Sequence, residues 1–154
     1  MDFIKGSEEY LFENNLKPAL LYGKNHKYVE YFKEQYAFIE VDELRIIFYH
    51  TEQTLETWNK ELRKRKDKAQ AIGTVLGYPP QAVKKFSKEV SEITNPIRIN
   101  YHGLRFVSSS DCYKEDLKWL MLNQPIPTEH QTIVELNYPD ESGRFSRVKK
   151  LNLV

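Results

Sequence analysis

Cysteine is scarce in this chain, since Cys112 is the only one among 154 residues. A lone cysteine excludes an intramolecular disulfide and is typical of a protein that stays in a reducing compartment. The sequence also has no apolar run approaching the roughly 20 residues that a membrane-spanning helix needs. Residues 1–6 lack the charged start and apolar centre of a secretory signal. These absences predict a cytoplasmic protein that does not cross a membrane.

The chain also lacks a charge excess of either sign, because 23 Lys and Arg residues are balanced by 22 Asp and Glu residues, for a formal net charge of +1. Such a balance provides no general attraction to phosphates, which strong nucleic-acid binding usually requires. The distribution is uneven, since one short stretch holds a run of basic side chains: Lys60, Arg63, Lys64, Arg65, Lys66 and Lys68. We interpret this run as the solvated face of a helix, with contact to nucleic acid or a partner through Arg63 and Lys64 as the alternative.

No cluster of residues has the pattern of a catalytic, cofactor or metal site. The four histidines are scattered and lack the spacing of metal ligands, and no glycine-rich phosphate loop is present. We therefore predict no catalytic residue, no cofactor and no metal ion. One enzymatic alternative remains open, a small hydrolase or transferase whose site combines His50, His102 and Cys112.

Hydrophobic periodicity predicts helices and hairpins in alternation along the chain. Helical patterns cover residues 7–16, 25–35, 54–76 and 80–93, and a further short helix follows Ser110. Extended patterns form a strand at residues 19–22 and hairpins within residues 36–49 and 132–153. Within residues 97–106 the apolar phase changes after His102 and Gly103, which indicates either a tight hairpin or a bulge at Gly103. Because helices alternate with hairpins, we predict one compact α+β domain over residues 1–154. Its mainly antiparallel sheet would pack against four or five helices.

The most informative segment is the junction between the third and fourth predicted helices. Gly77 provides a C-cap position for the long helix, and the Pro79-Pro80 pair cannot continue that helix but can open the next. Residues 73–86 also match the spacing of a helix-turn-helix: Gly73 is the small residue of the first helix, Gly77 lies at the turn, and apolar residues follow. The outer face of the second helix would then present Gln81, Lys84, Lys85 and Lys88 to DNA or to a partner.

Three observations favour a purely structural αα-corner over a DNA-binding motif. A double proline occupies the positions where a recognition helix usually carries its first groove-facing residues. The third helix of the motif is not evident, and the net charge is close to zero. We interpret residues 73–86 as a corner whose glycine and prolines specify the turn.

Several pieces of the sequence resemble small bacterial and phage proteins in which a Leu-Gly-Tyr-Pro corner follows a helix. The resemblance lies in residues 71–83, which contain Leu-Gly-Tyr-Pro-Pro, and in residues 101–107, followed downstream by Trp119 and Leu120. Residues 16–19 and 46–49 add to it. The resemblance implies a bacterial or phage cytoplasmic protein, and it implies no activity.

Three functional hypotheses follow. The first is a non-enzymatic protein-interaction module with an unidentified partner, based on the balanced charge, the absent catalytic set and the content of 10 Tyr and 8 Phe. The second is a DNA-binding protein that uses the corner at residues 73–86. The third is the small enzyme centred on His102 and Cys112.

Overall fold

The structure, a computed structural model, describes residues 1–64, 67–86 and 92–152. Within these ranges the chain forms six α-helices: α1 Glu8–Glu13, α2 Val29–Gln35, α3 Glu52–Lys64, α4 Lys68–Val75, α5 Pro80–Phe86 and α6 Tyr113–Asn123. The same ranges contain seven strands: β1 Ala19–Gly23, β2 Ala37–Glu40, β3 Arg45–Tyr49, β4 Pro96–Tyr101, β5 Leu104–Ser109, β6 Val134–Pro139 and β7 Phe145–Leu151. The predicted α+β class is confirmed.

The strands form two antiparallel sheets, with the orders β1-β3-β2 and β5-β4-β6-β7. The predicted hairpins correspond to β2–β3, β4–β5 and β6–β7, and the nearly all-apolar β3 lies at the centre of its sheet as its composition indicates. The predicted antiparallel pairing is confirmed, and the strands are divided between two sheets. Hydrophobic alternation identifies which face of a strand is buried, but it does not identify the sheet to which the strand belongs.

The two sheets are buried differently. The three-stranded sheet is covered on both faces, because Leu20 and Phe48 pack with α1 and α2 while Ile47 packs with α3 and α4. The four-stranded sheet packs one face, including Ile99 and Leu136, against α6. Two parts of the described chain connect the packing of one sheet with that of the other. One is α1, whose consecutive residues belong to different clusters of buried side chains, and the other is the α4–α5 corner.

The long helix predicted over residues 54–76 is two helices. Asp67 has an extended backbone, with φ −108° and ψ 117°, and its carboxylate accepts a hydrogen bond from the N–H of Ala69 at 2.8 Å. An aspartate in this conformation caps the start of a new helix and satisfies a free N–H of its first turn. Apolar periodicity continues from α3 to α4, which explains why the pattern alone predicts a single helix.

The α4–α5 corner has the predicted cap. Gly77 adopts φ +85°, and the N–H groups of Gly77 and Tyr78 donate to the carbonyls of Thr74 and Gly73, each at 3.1 Å. These two hydrogen bonds define a Schellman motif, which ends a helix at a left-handed residue. Pro80 is the first residue of α5, where its missing N–H leaves no hydrogen bond unmade. Residues 87–91 of the predicted fourth helix lie outside the described residues.

Candidate protein-interaction site

Two of the four residues that the corner hypothesis assigns to DNA contact, Gln81 and Lys85, are engaged within the protein. Gln81 donates through Nε2 to Oε2 of Glu115 at 3.1 Å, and Lys85 donates through Nζ to Oγ of Ser109 at 3.3 Å. Lys84 is exposed, whereas Lys88 lies outside the described residues. The described part of α5 therefore directs Gln81 and Lys85 towards α6 and β5.

The polar cluster beneath α5 is anchored by a buried carboxylate. Asp116 is 2% exposed and accepts a hydrogen bond from Oγ of Ser108 at 2.5 Å. Burial raises the pKa of Asp116, whereas the Ser108 hydrogen bond and the charge of Lys85 oppose that rise. Acidic groups next to Gln81 and Lys85 are unfavourable neighbours for a DNA phosphate. This arrangement does not support a helix-turn-helix reading of residues 73–86.

Arg63 and Lys64 lie exposed in the last turn of α3. Basic side chains at this position interact favourably with the partial negative charge of a helix C-terminus. Of their neighbours in the basic run, residues 65–66 lie outside the described residues, and Lys68 donates through Nζ to the Val41 carbonyl at 3.1 Å. This geometry agrees with the solvated-face interpretation and identifies no ligand for Arg63 or Lys64.

The topology separates the residues of the enzymatic hypothesis. His102 lies in the turn between β4 and β5, whereas Cys112 follows the far end of β5, a strand whose five residue steps span roughly 17 Å. His50 follows β3 of the other sheet, where its Nε2 lies 2.6 Å from the Phe12 carbonyl and its ring stacks on Phe12. The described residues contain no group of three His, Cys, Asp or Glu side chains suited to a metal ion. These positions do not bring His50, His102 and Cys112 together.

His102 has a structural role that makes stability depend on pH. Its backbone adopts φ +54° in the two-residue turn, and its Nδ1 accepts the N–H of Thr132 at 3.2 Å. Burial lowers the pKa of His102 below the ordinary value of 6.5. The unfolded chain therefore binds a proton more readily than the folded one. The stability that the neutral ring provides is fully present above pH 6.5 and is lost as the pH falls through the lower folded-state pKa.

We expect His102→Asn to reduce the loss of stability between pH 7.5 and pH 5.5, measured as the difference in urea unfolding free energy. Asparagine tolerates the left-handed turn conformation and does not titrate in this range. The control is His26→Asn, because His26 is exposed and its Nδ1 also accepts a backbone N–H, that of Tyr28; the loss of stability should be reduced less in this variant than in His102→Asn. An equal change in both variants would contradict the assignment to His102.

An apolar groove lies between α6 and β7. It has a volume of about 540 Å³. Its apolar surface comes from Leu117, Met121 and Leu122 of α6 and from Leu151 of β7. Met121 is 42% exposed and Leu122 73% exposed. Exposed apolar side chains that adjoin one another are a feature of interaction sites in soluble proteins.

The side chains of β7 that face the groove follow from the pairing of β7 with β6. Leu151 pairs with Val134 and Lys149 pairs with Leu136, and both β6 residues are buried in the core. Directly paired residues in antiparallel strands project from the same face. Lys149 and Leu151 therefore lie on the α6 side of the sheet, which agrees with their place in the lining of the groove.

The charges around the groove are of one sign. Lys114 and Lys118 line it from α6, and Lys149 lines it from β7. No acidic residue is among the described residues that line it. The nearest acidic positions of α6 in sequence are engaged elsewhere, because Glu115 accepts from Gln81 and Asp116 accepts from Ser108. The groove thus combines an apolar floor with a lysine rim.

Sequence reasoning did not identify this groove, although one signal was present. Leu117, Leu120, Met121 and Leu122 cover more of the circumference of α6 than a single buried stripe requires. Only Leu117 and Leu120 are buried in the structure. An apolar surplus immediately before a helix end, with lysines at Lys114 and Lys118, is the pattern that would have indicated a second contact surface.

Comparison with protein-family models, with curated proteins and with solved structures gives no match. The resemblance to small bacterial and phage proteins therefore stays a prediction. Among the described residues, no helix combines the length and the apolar character needed to cross a bilayer.

Proposed function

We propose that the protein is a non-enzymatic protein-interaction module that binds its partner in the groove between α6 and β7. The observation that supports this most directly is the exposure of Met121 and Leu122 beside a lysine rim. Interface cores are rich in such apolar side chains, and their rims are polar and charged. As the sequence predicts, we assign the module to the cytoplasm of a bacterial or phage-infected cell.

A protein partner fits this groove better than DNA does. Phosphate contacts account for most of the affinity of non-specific DNA binding, and they need basic side chains without an apolar floor. Here Leu122 is exposed in the same groove as the lysines, so the groove offers apolar contact area that a phosphate backbone cannot use. The basic residues of α5 add little, because Gln81 and Lys85 are engaged with Glu115 and Ser109.

The proposal is tested by placing a photo-crosslinking amino acid, benzoylphenylalanine, at Met121 in the native host. We expect one discrete protein to become attached. In the purified complex, Leu122→Asp should weaken binding of that protein by about 30-fold or more, because loss of a hot-spot contact costs roughly 2 kcal/mol. Binding is measured by isothermal calorimetry.

The chain offers matched controls both for the apolar floor and for the lysine rim of the groove. Leu44 is 75% exposed in the β2–β3 turn, so benzoylphenylalanine at Leu44 should not attach the same protein. Lys118→Glu should weaken binding, whereas Lys84→Glu, at an exposed lysine of α5, should leave the affinity unchanged. Equal attachment from both crosslinking positions, or equal effects of the two lysine reversals, would contradict the proposed site.

A further inference from the structure

The groove borders a free sheet edge. β7 pairs with β6 on one side, and among the described residues no strand pairs with its other side. In an antiparallel ladder, every second residue of an edge strand directs its N–H and C=O away from the neighbour it already has. The edge of β7 can therefore hydrogen-bond a further strand, which would lie next to the groove.

α6 and β7 run in the same direction along the groove. Two observations show this, and the first concerns the end of the groove where both elements begin. β5 ends at Ser109, shortly before α6 begins, and Ser109 pairs with Pro96 at the start of β4. The start of β4 lies beside the end of β6, because these strands pair antiparallel, and the end of β6 pairs with the start of β7. The beginnings of α6 and β7 therefore lie at the same end of the groove.

The second observation concerns the other end. Tyr101 donates through Oη to the carbonyl of Gln124, directly after α6. Tyr101 pairs with Val134, and Val134 pairs with Leu151 at the end of β7. The order along the groove is thus Lys114, Lys118 and then Leu122, read in the direction in which β7 runs.

The spacing of these α6 side chains matches that of an extended chain. Lys114, Lys118 and Leu122 follow at steps of four residues, which is about 6 Å along a helix axis. Side chains on the same face of a strand repeat at about 6.8 Å. Over three positions, the alternate side chains of a strand added to β7 would therefore face two lysines and then the apolar pair Met121 and Leu122.

Building on the proposed function, we propose that the partner enters as an extended acidic segment that adds to β7 as an antiparallel strand. Read from its N-terminus, its groove-facing residues are apolar over Met121 and Leu122, then acidic beside Lys118, then acidic beside Lys114. The antiparallel direction continues the pairing of the other strands of this sheet. Strand addition of this kind derives affinity from the backbone and specificity from alternate side chains.

A second copy of the chain does not meet these requirements. Pairing of two β7 edges would bring Arg147, Lys149 and Lys150 of one copy close to those of the other. Like charges directly opposite each other on neighbouring strands are destabilising, and lysines on an edge strand oppose edge-to-edge association. An acidic strand converts the same charges into attraction.

The test uses fluorescein-labelled peptides and the full chain in an anisotropy titration at low salt. The test peptide has seven residues, with Thr at odd positions and Val, Glu and Glu in order at positions two, four and six. We expect saturable binding that weakens about tenfold with Lys118→Glu, because the reversal replaces attraction to the acidic side chains with repulsion, and that is unaffected by Lys84→Glu. N-methylation of the backbone N–H groups that face β7 should abolish binding, and N-methylation of those that face away should not.

Three outcomes would overturn the strand proposal, and they differ in what they mean for the groove. Binding of an acidic helical peptide but not of the strand peptide, lost with Leu122→Asp, would retain the interaction site and reject the strand. A concentration-dependent dimer that Leu122→Asp dissociates, seen by sedimentation, would assign the groove to a second copy. Both proposals would be rejected if the peptide does not bind and if benzoylphenylalanine at Met121 attaches no protein whose binding is weakened by Lys118→Glu.

Discussion

Gly77→Val is expected to destabilise the protein by about 3 kcal/mol, because two unfavourable effects combine at this position. The first is the left-handed backbone with φ +85°, which a β-branched residue adopts only with strain. The second effect is a steric clash, since a Cβ at Gly77 would lie 3.1 Å from Cδ of Pro18 and 2.5 Å from Nε2 of Gln124. The Gln124 amide can move, but the Pro18 ring has little freedom to do so.

The chain contains a matched control for this substitution. Gly143 has the same φ of +85°, and a Cβ there would meet no atom within 4 Å. Gly143→Val should therefore show only the backbone strain, about 1 kcal/mol. The difference between the two variants in urea unfolding free energy measures the packing of the corner against Pro18 and Gln124. Equal losses would show that these contacts contribute nothing.

The corner was predictable from the sequence because its determinants are local. Gly77 and Pro80 specify their own backbone conformations, whatever surrounds them. The same holds for the turn at His102 and Gly103, where the change in apolar phase indicated either a hairpin or a bulge. Tyr101 pairs directly with Leu104, so the hairpin is what forms.

Sequence reasoning failed at residues whose roles depend on their hydrogen-bond or strand partners, whether near or distant along the chain. Asp67 lies in a basic run and looks like part of a solvated helix face, yet its carboxylate starts α4. Ser108 looks like a helix cap and instead lies in β5, where Asp116 accepts its hydroxyl. Lys149 lies on the α6 side of β7, so a charged residue occupies the face on which β6 places Leu136. Only the contacts of the folded chain reveal these roles.

The same limit applies to the candidate site. The sequence predicted a protein-interaction module and directed attention to Lys84 and Lys85, because basic residues after a helix corner match a known motif. The groove depends on α6 and β7, whose neighbouring edges meet only after β4, β5 and β6 have assembled the sheet. Its apolar surplus at Met121 and Leu122 was visible in the sequence, but its lysine rim was divided between two distant segments.

The prediction of a single domain over residues 1–154 can be tested at α1, where consecutive side chains enter different clusters. Leu11 packs with the four-stranded sheet and Phe12 with the three-stranded sheet, and both are essentially inaccessible to solvent. Each half also contains one tryptophan: Trp58 packs with the three-stranded sheet and Trp119 with the four-stranded sheet. The variants Trp119→Phe and Trp58→Phe therefore each leave one fluorescent reporter of one half.

Phe12→Ala is expected to destabilise the whole protein by roughly 3–5 kcal/mol, the usual effect of removing a buried aromatic ring. If residues 1–154 fold as one unit, this loss appears equally in urea unfolding followed by Trp58 and by Trp119, each compared with its own single-tryptophan background. Leu11→Ala, which empties the other cluster, should also shift both transitions together. A shift confined to Trp58 for Phe12→Ala, and to Trp119 for Leu11→Ala, would show that the two sheets unfold independently, and the single-domain prediction would then be wrong.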